Sequence, residues 1–323
     1  MNFVDLHCDT IGTVMDGRQH LRDGKGHLNL NRMRKAGYSL QTFAMFVSLK
    51  KTEKPCQRAL DMIDVYYEEL RQNQDLIRPV YCWNDIEENQ KKGLMSALLS
   101  LEEGEICEGS LANLRNFYRL GVRMMTFTWN YDNSLAAPND VMRPDFGRPQ
   151  LERGLTPKGL EFLSEMERLG IIADVSHLGD RGFYDVYTHA KKPFIASHSN
   201  ARSVCGHVRN LTDDMLRKIG ERGGVAGLNF CADFVDPRGE EGGNAFSSVE
   251  YLVAHARHMA DAGGIEAVAL GTDYDGIGNS LELKDCSMMP VLAEGLKKGG
   301  FTESQVDKIL WGNAMRVFRE LLI

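Results

Sequence analysis

The chain has 323 residues, 43% hydrophobic and 26% charged, the balance of a folded globular protein rather than a disordered or fibrous one. Its 38 Lys and Arg against 45 Asp and Glu leave a net charge of −7, with no long basic run. That excludes a nucleic-acid footprint and a tether to an anionic membrane. From the N-terminus, short apolar or β-branched runs alternate with longer amphipathic stretches. Strands are predicted at 3–7, 40–47, 96–102, 123–129, 170–177, 193–199, 224–230 and 267–273. Helices are predicted at about 56–73, 110–119, 157–169, 180–190, 211–221 and 247–263, with two more near 289–298 and 303–320. Thr302 with Gln305 fits a capping box, Thr156-Pro157 fits a cap followed by proline, and Asn84 with Glu87 offers a start for a short extra helix.

Most of these strands lack polar alternation, as parallel strands buried on both faces do. Eight of them with intervening helices over about 270 residues predict a (β/α)8 TIM barrel, whose usual size is ~250 residues. No Pro-, Gly- or Ser-rich linker divides residues 1–323, so one domain is expected. A doubly wound open sheet gives the same βαβ repeats. Neither GxGxxG nor a P-loop follows the first strand, which removes the usual nucleotide-binding version of that alternative. The longest irregular stretch, about 130–155, follows the fourth predicted strand and reads as an active-site loop.

No apolar stretch reaches the ~18–20 residues of a membrane-spanning helix. Asp5, His7 and Asp9 stand where a secretory signal would carry a basic stub and an apolar run. Seven cysteines, odd in number and without a CxxC pair, read as reduced thiols. A cytoplasmic protein is expected.

The informative feature is the position of the ionisable residues. The first predicted strand ends in His7-Cys8-Asp9, the third in Glu102, the fifth in His177, the sixth in His198 and the eighth in Asp273. In a parallel barrel these C-terminal ends surround one mouth. Side-chain alternation puts His7 and Asp9 on one face, so the pair can offer a nitrogen and an oxygen to one cation. Singly, each residue has a plainer reading: a strand-end histidine is more often a boundary residue, and a strand-end carboxylate often caps a helix. Together, three histidines and two carboxylates on one rim require metal or ion pairing.

Imidazole and carboxylate without thiolate suit Zn2+, and less well Mn2+, Fe2+ or Co2+. The set exceeds the three protein ligands of one catalytic zinc. It divides between two ions sharing Glu102, an arrangement that can hold a bridging hydroxide for attack on a carbonyl or phosphoryl centre. His20, His27, His189, His255 and His258 fall in predicted loops or helices and are assigned no chemistry; His207, beside Arg209, stays open.

The motifs VDLHCDT, SLEEGE, ADVSH, ASHSNARSVCGHVRN and GTDYDG resemble the membrane (renal) dipeptidase family of zinc peptidases, especially its bacterial members. The resemblance runs from residue 4 to GNAMRVF at 312–318, and includes HLNLNRMRKAGYSLQTFAMFV. It implies a TIM barrel of the metal-dependent hydrolase type with two zinc ions at its mouth. By motif, His7 and Asp9 would bind the first ion, His177 and His198 the second, and Glu102 would bridge them. Arg209 would hold the terminal carboxylate of a dipeptide; its plainer reading is an ion pair with Asp213 or Asp214. Asp273 would be the catalytic acid, the alternative being a partner that orients a ligating histidine. Glu103 and Asp275 are the confusable neighbours.

One position departs from the family pattern. A histidine is expected after the TxT of the fourth strand, where Trp129 stands here, followed by Asn130. An indole N–H donates a hydrogen bond but does not titrate. Either Trp129 or Asn130 supplies the substrate contact, or the substrate preference has shifted. The expected activity is zinc-dependent hydrolysis of dipeptides. The alternatives are a dinuclear hydrolase of N-acyl-amino acids or another small amide or lactone, and a non-catalytic metal-binding barrel. A homodimer is the expected assembly for such a cytosolic enzyme.

Overall fold

The computed structural model of the protein describes residues 1–141, 147–241 and 243–323. Among the described residues, eight parallel strands form one sheet: β1 (Phe3–Asp5), β2 (Tyr38–Phe46), β3 (Ile77–Pro79), β4 (Met95–Glu102), β5 (Val122–Thr126), β6 (Ile172–Asp174), β7 (Ala226–Leu228) and β8 (Val268–Leu270). Their order is β6-β5-β4-β2-β1-β8-β7, with β3 paired to the first half of β4. The sheet curls. Two single-residue parallel bridges, Asp174 to Ile195 and Ala196 to Ala226, link β6 to β7 through the segment 193–199.

That segment was expected to be a full strand and is not. The Ser197 amide donates to Asp174 Oδ1 and the His198 amide to Ser176 Oγ, so side chains take the groups that a ladder would use. The same effect shortens β1, β6 and β8 relative to their apolar runs, because the amides of His7, Ser176 and Thr272 also donate to buried aspartates. Conversely, β3 escapes sequence reading because Ile77-Arg78-Pro79 is short, not an apolar run, and ends in proline.

Helices follow the sheet largely as expected, including Pro55–Gln72, Pro157–Leu169 and Val249–Gly263. Thr156 caps Pro157–Leu169, and Thr302 and Gln305 form the reciprocal capping box. The helix before β4 is Trp83–Lys91, capped by Cys82 with Asp85 rather than begun by Asn84. Two short helices, Thr10–Met15 and Leu30–Ala36, lacked a predictive period. No helix among the described residues is long and apolar enough to cross a membrane.

The core has two parts. A large cluster fills the layer between sheet and helices. A second gathers Val4, Leu40, Leu98, Met124, Ile172 and Ala269 from six strands and packs them against Met315, Phe318 and Leu321 of the last helix, Asn313–Leu321. Asn313 donates to the carbonyls of Ile265 and Val268, and Arg316 to that of Gly223, which fixes this helix against the N-terminal ends of the strands. The GNAMRVF segment therefore closes one end of the sheet. The opposite end carries the ionisable residues.

Candidate active site

All five expected ligands converge beyond the C-terminal ends of the strands. His7 Nε2 lies 3.2 Å from Glu102 Oε2 and 3.6 Å from Asp9 Oδ2. His177 Nε2 lies 3.0 Å from Glu102 Oε1 and 2.9 Å from His198 Nε2, and His198 Nε2 is 3.7 Å from the same oxygen. Among the described residues, three groups therefore have donor atoms close enough to hold a cation: His7–Asp9–Glu102, Glu102–His177–His198 and His7–His198–Asp273. Glu102 belongs to the first two. Asp9 is the most exposed of the five, and the other four are buried.

The hydrogen bonding of this cluster makes sense around positive charge. His177 Nδ1 meets Asn130 Oδ1 at 2.8 Å. An amide oxygen only accepts, so Nδ1 carries the proton and Nε2 presents a bare lone pair. That lone pair faces His198 Nε2, whose ring is held by Ser197 Oγ 2.7 Å from Nδ1. His7 Nε2, Asp9 Oδ1 and Glu102 Oε2 are buried without a hydrogen-bond partner among the described residues. Buried polar atoms crowded together and left without partners in this way are stable around a cation, and imidazole plus carboxylate fits a divalent metal.

Charges inside the cluster perturb one another accordingly. Burial opposes protonation of His7, but the Glu102 and Asp9 carboxylates outweigh it and hold its pKa well above the usual range. Burial drives the His177 pKa down to about 3, helped by the Arg209 charge, and depresses His198 also. Glu102 stays ionised despite burial because His7 and His177 surround it. Asp9 is pushed up to about 8 by burial and by Glu102, and Asp273 up to about 6, mainly by burial.

Asp273 lies at the same mouth, its Oδ1 3.9 Å from His7 Nε2 and its Oδ2 accepting from Asn229 Nδ2 at 2.9 Å. His177 and Asp273 both adopt positive φ (70° and 62°), a region non-glycine residues enter at a cost and mainly at functional sites. Arg209 is buried, with Nη1 3.3 Å from Ser199 Oγ, while Nε and Nη2 lack a partner among the described residues. Its alternative partners are engaged elsewhere: Asp213 with His258 and Ser203, Asp214 with Tyr184, Lys218 and Arg217. Two donors of Arg209 thus remain for an anion.

The confusable neighbours separate cleanly. Glu103 is buried and accepts from the amides of Glu105 and Trp129 and from Asn133 Nδ2, tying the loop after β4 to the chain after β5. Asp275 accepts from Thr10 Oγ1, Gln19 Nε2 and the His27 amide. Both carboxylates are thus engaged by backbone and side-chain donors, and Asp275 also lines the cavity at this mouth. His207 rests against Phe234 and accepts from the Arg209 amide through Nδ1, and burial holds its pKa down to about 3.

These groups open into one cavity of about 1160 Å3, lined at its base by Asp9, Glu102, His177, Arg209 and Asp273 and at its rim by Lys51, Lys54 and Arg58. Trp129 forms part of its wall, 4.8 Å from Phe46 and 6.0 Å from the His177 ring. Cys231 also lines it, but burial pushes that thiol up to about 12, so it offers no thiolate near neutral pH. Of the loop expected at 130–155, Asn130 and Val141 face the cavity; residues 142–146 lie outside the described residues.

The profile described as "Membrane dipeptidase (Peptidase family M19)" matches residues 1–322. The chain belongs to the membrane dipeptidase family. Among its relatives, an uncharacterized protein of the pqqA 5′ region of Klebsiella pneumoniae is 32% identical over 81% of this chain and 97% of its own length. An uncharacterized dipeptidase of Schizosaccharomyces pombe is 31% identical over 91% of this chain and 72% of its own. Dipeptidase 3 of Mus musculus is 30% identical over 92% of this chain, which spans 58% of the mouse protein. The crystal structure of a metallo peptidase, dipeptidase AC, superposes with a TM-score of 0.88 at 26% identity, covering 100% of this chain and 99% of that one.

Membership in this metal-dependent family accords with the donor cluster. Several supporting residues of this dipeptidase-family site were not found by sequence reading. Asp5, Asp174, Asn229, Ser197 and Ser199 hold the expected ligands, Asp273 or Arg209 in place. Asp5 and Asp174 did carry a signal, since each stands two or three residues before a ligand inside VDLHCD and ADVSH. Asn130, expected against substrate, lines the cavity and has its amide oxygen on His177.

Proposed function

We propose that the chain is a dinuclear zinc dipeptidase on a (β/α)8 barrel spanning residues 1–323 as one domain, working in the cytoplasm. The observation that carries this reading is the meeting of five donor residues from four separate stretches, with buried polar atoms that lack partners among the described residues. His7, Asp9 and Glu102 would hold one ion, and Glu102, His177 and His198 the other. The bridges at Ile195 and Ala196 support barrel closure, and the absence of disulfides among the seven cysteines suits a reducing compartment.

When bound, the cations would supply Lewis-acid polarisation of a carbonyl and a nucleophilic water at neutral pH. The chain's own residues perform the remaining tasks. The two open donors of Arg209 bind the substrate's terminal carboxylate as a fork, which fixes both affinity and register. Asp273 takes the proton of the attacking water at Oδ1 and delivers it to the departing amine nitrogen as the C–N bond breaks. Asn229 keeps Oδ2 occupied, so one oxygen faces the reaction. Asn130 fixes the tautomer of His177, and Trp129 with Phe46 walls the cavity against water.

Trp129 also motivates a second reading, in which the same site hydrolyses N-acyl-amino acids, because an indole offers an apolar face where the family pattern has a titrating ring. Hydrolysis of a panel of dipeptides and N-acyl-amino acids by zinc-loaded, chelated and Asp273→Asn protein tests both. Dipeptide turnover is expected to vanish on chelation and to fall by ~10^2 or more in Asp273→Asn while zinc is retained. Turnover confined to N-acyl-amino acids favours the second reading. Equal hydrolysis by metal-stripped protein overturns both.

A further inference from the structure

We propose that two buried aspartates outside the ligand set, Asp5 and Asp174, are positioning residues that each build one half of the metal site. The inference rests on the dinuclear reading above. Asp5 closes β1 and is fully buried; its Oδ1 accepts from the amides of His7 at 3.2 Å and Thr272 at 2.9 Å, and its Oδ2 from Thr272 Oγ1 at 2.7 Å. Asp174 closes β6, and its Oδ1 accepts from the amides of Ser176 at 3.0 Å and Ser197 at 2.9 Å. Thr272 immediately precedes Asp273; Ser176 precedes His177 and Ser197 precedes His198.

Each carboxylate thus clamps two chain segments distant in sequence, at or next to the residues that carry donors. Asp5 sets the turn bearing His7 and the one bearing Asp273. Asp174 sets the turns bearing His177 and His198, which Ser176 then knits together by accepting the His198 amide at 3.0 Å. Neither aspartate lines the cavity or belongs to a donor group. Burying a carboxylate is expensive unless hydrogen bonds compensate, and here the compensation comes from amides that would otherwise extend the ladder. The positive φ of His177 needs such a clamp, because an unusual backbone conformation persists only where its surroundings over-determine it. Glu102, delivered by the regular strand β4, is independent of both clamps and joins the halves.

Chelator competition gives the zinc affinity of each of the two sites in the full-length protein, with His7→Ala and His177→Ala identifying which step belongs to which site. Asp174→Ala is expected to weaken the ion on His177 and His198 by ~10–100-fold, and Asp5→Ala the ion on His7 and Asp9, each leaving the other site within about threefold. Asp5→Asn and Asp174→Asn keep an acceptor oxygen and are expected to restore most of the affinity, which a general folding defect would not allow. If an alanine variant is recovered unfolded, the serine variant at that position is measured instead. Equal weakening of both ions, or of neither, overturns the inference while leaving two ions in the wild type. A wild type holding fewer than two ions overturns the dinuclear reading, and this inference with it.

Discussion

At single residues, the site depends on a few contacts with no slack. Gly276 is one: a Cβ there would sit 2.0 Å from Asp9 Oδ2 and 2.8 Å from Asp273 Oδ1. Gly276→Ala is expected to displace Asp9, lowering zinc affinity by ~10-fold or more while the fold persists; unchanged affinity in chelator competition would contradict it. Arg209→Met removes the two open donors and is expected to lower kcat/KM for a dipeptide by ~10–100-fold, from a charged hydrogen-bonding contribution of roughly 1.5–3 kcal/mol. Amidating the substrate's C-terminus should erase that difference between wild type and variant. The candidate ligands were legible because residue type and predicted strand-end position coincide at His7, Asp9, Glu102, His177 and His198. The hydrogen bonds of Asn130 to His177 and of Asn229 to Asp273 were not legible, since contacts across 47 and 44 positions leave no periodic trace.

Among the elements, the strands end where buried side chains capture backbone amides, which is why eight apolar runs overstate strand length at β1, β6 and β8. Periodicity reports burial, and these turn residues are as buried as the strands they follow. Helix Val249–Gly263 gives a test at this scale. Its buried His255 accepts from the Ala201 amide through Nδ1 at 3.2 Å, and Nε2 lies 3.1 Å from the Val235 carbonyl, so the ring is neutral in the folded state. Burial lowers its pKa from 6.5 to about 4. Between those values the unfolded chain binds a proton that the folded chain refuses, so this contribution is full above pH ~6.5, falls with decreasing pH and is exhausted below about 4. The loss amounts to at most ~3 kcal/mol. Urea unfolding at pH 7 and pH 5 is expected to show a smaller pH-dependent loss in His255→Gln than in the wild type; equal losses would contradict the assignment.

For the whole molecule, the parallel sheet and alternating helices were readable from the run lengths, whereas the role of the last helix was not. Nothing in GNAMRVF indicates that Asn313 and Arg316 fasten it beneath β7 and β8. Because Phe318 is fully buried in the cluster closing that end, Phe318→Ala is expected to destabilise the protein by ~3–5 kcal/mol, read as a lowered Tm, with the zinc affinity of the folded form unchanged. One end of the sheet thus carries stability and the other chemistry. The most direct measurement of that chemistry is anomalous scattering at the zinc edge from crystals of zinc-loaded protein. Two peaks ~3.5–4 Å apart, both within coordination distance of Glu102 and flanked by His7 with Asp9 and by His177 with His198, are expected. A single peak, or peaks away from Glu102, would contradict the paired-cation site.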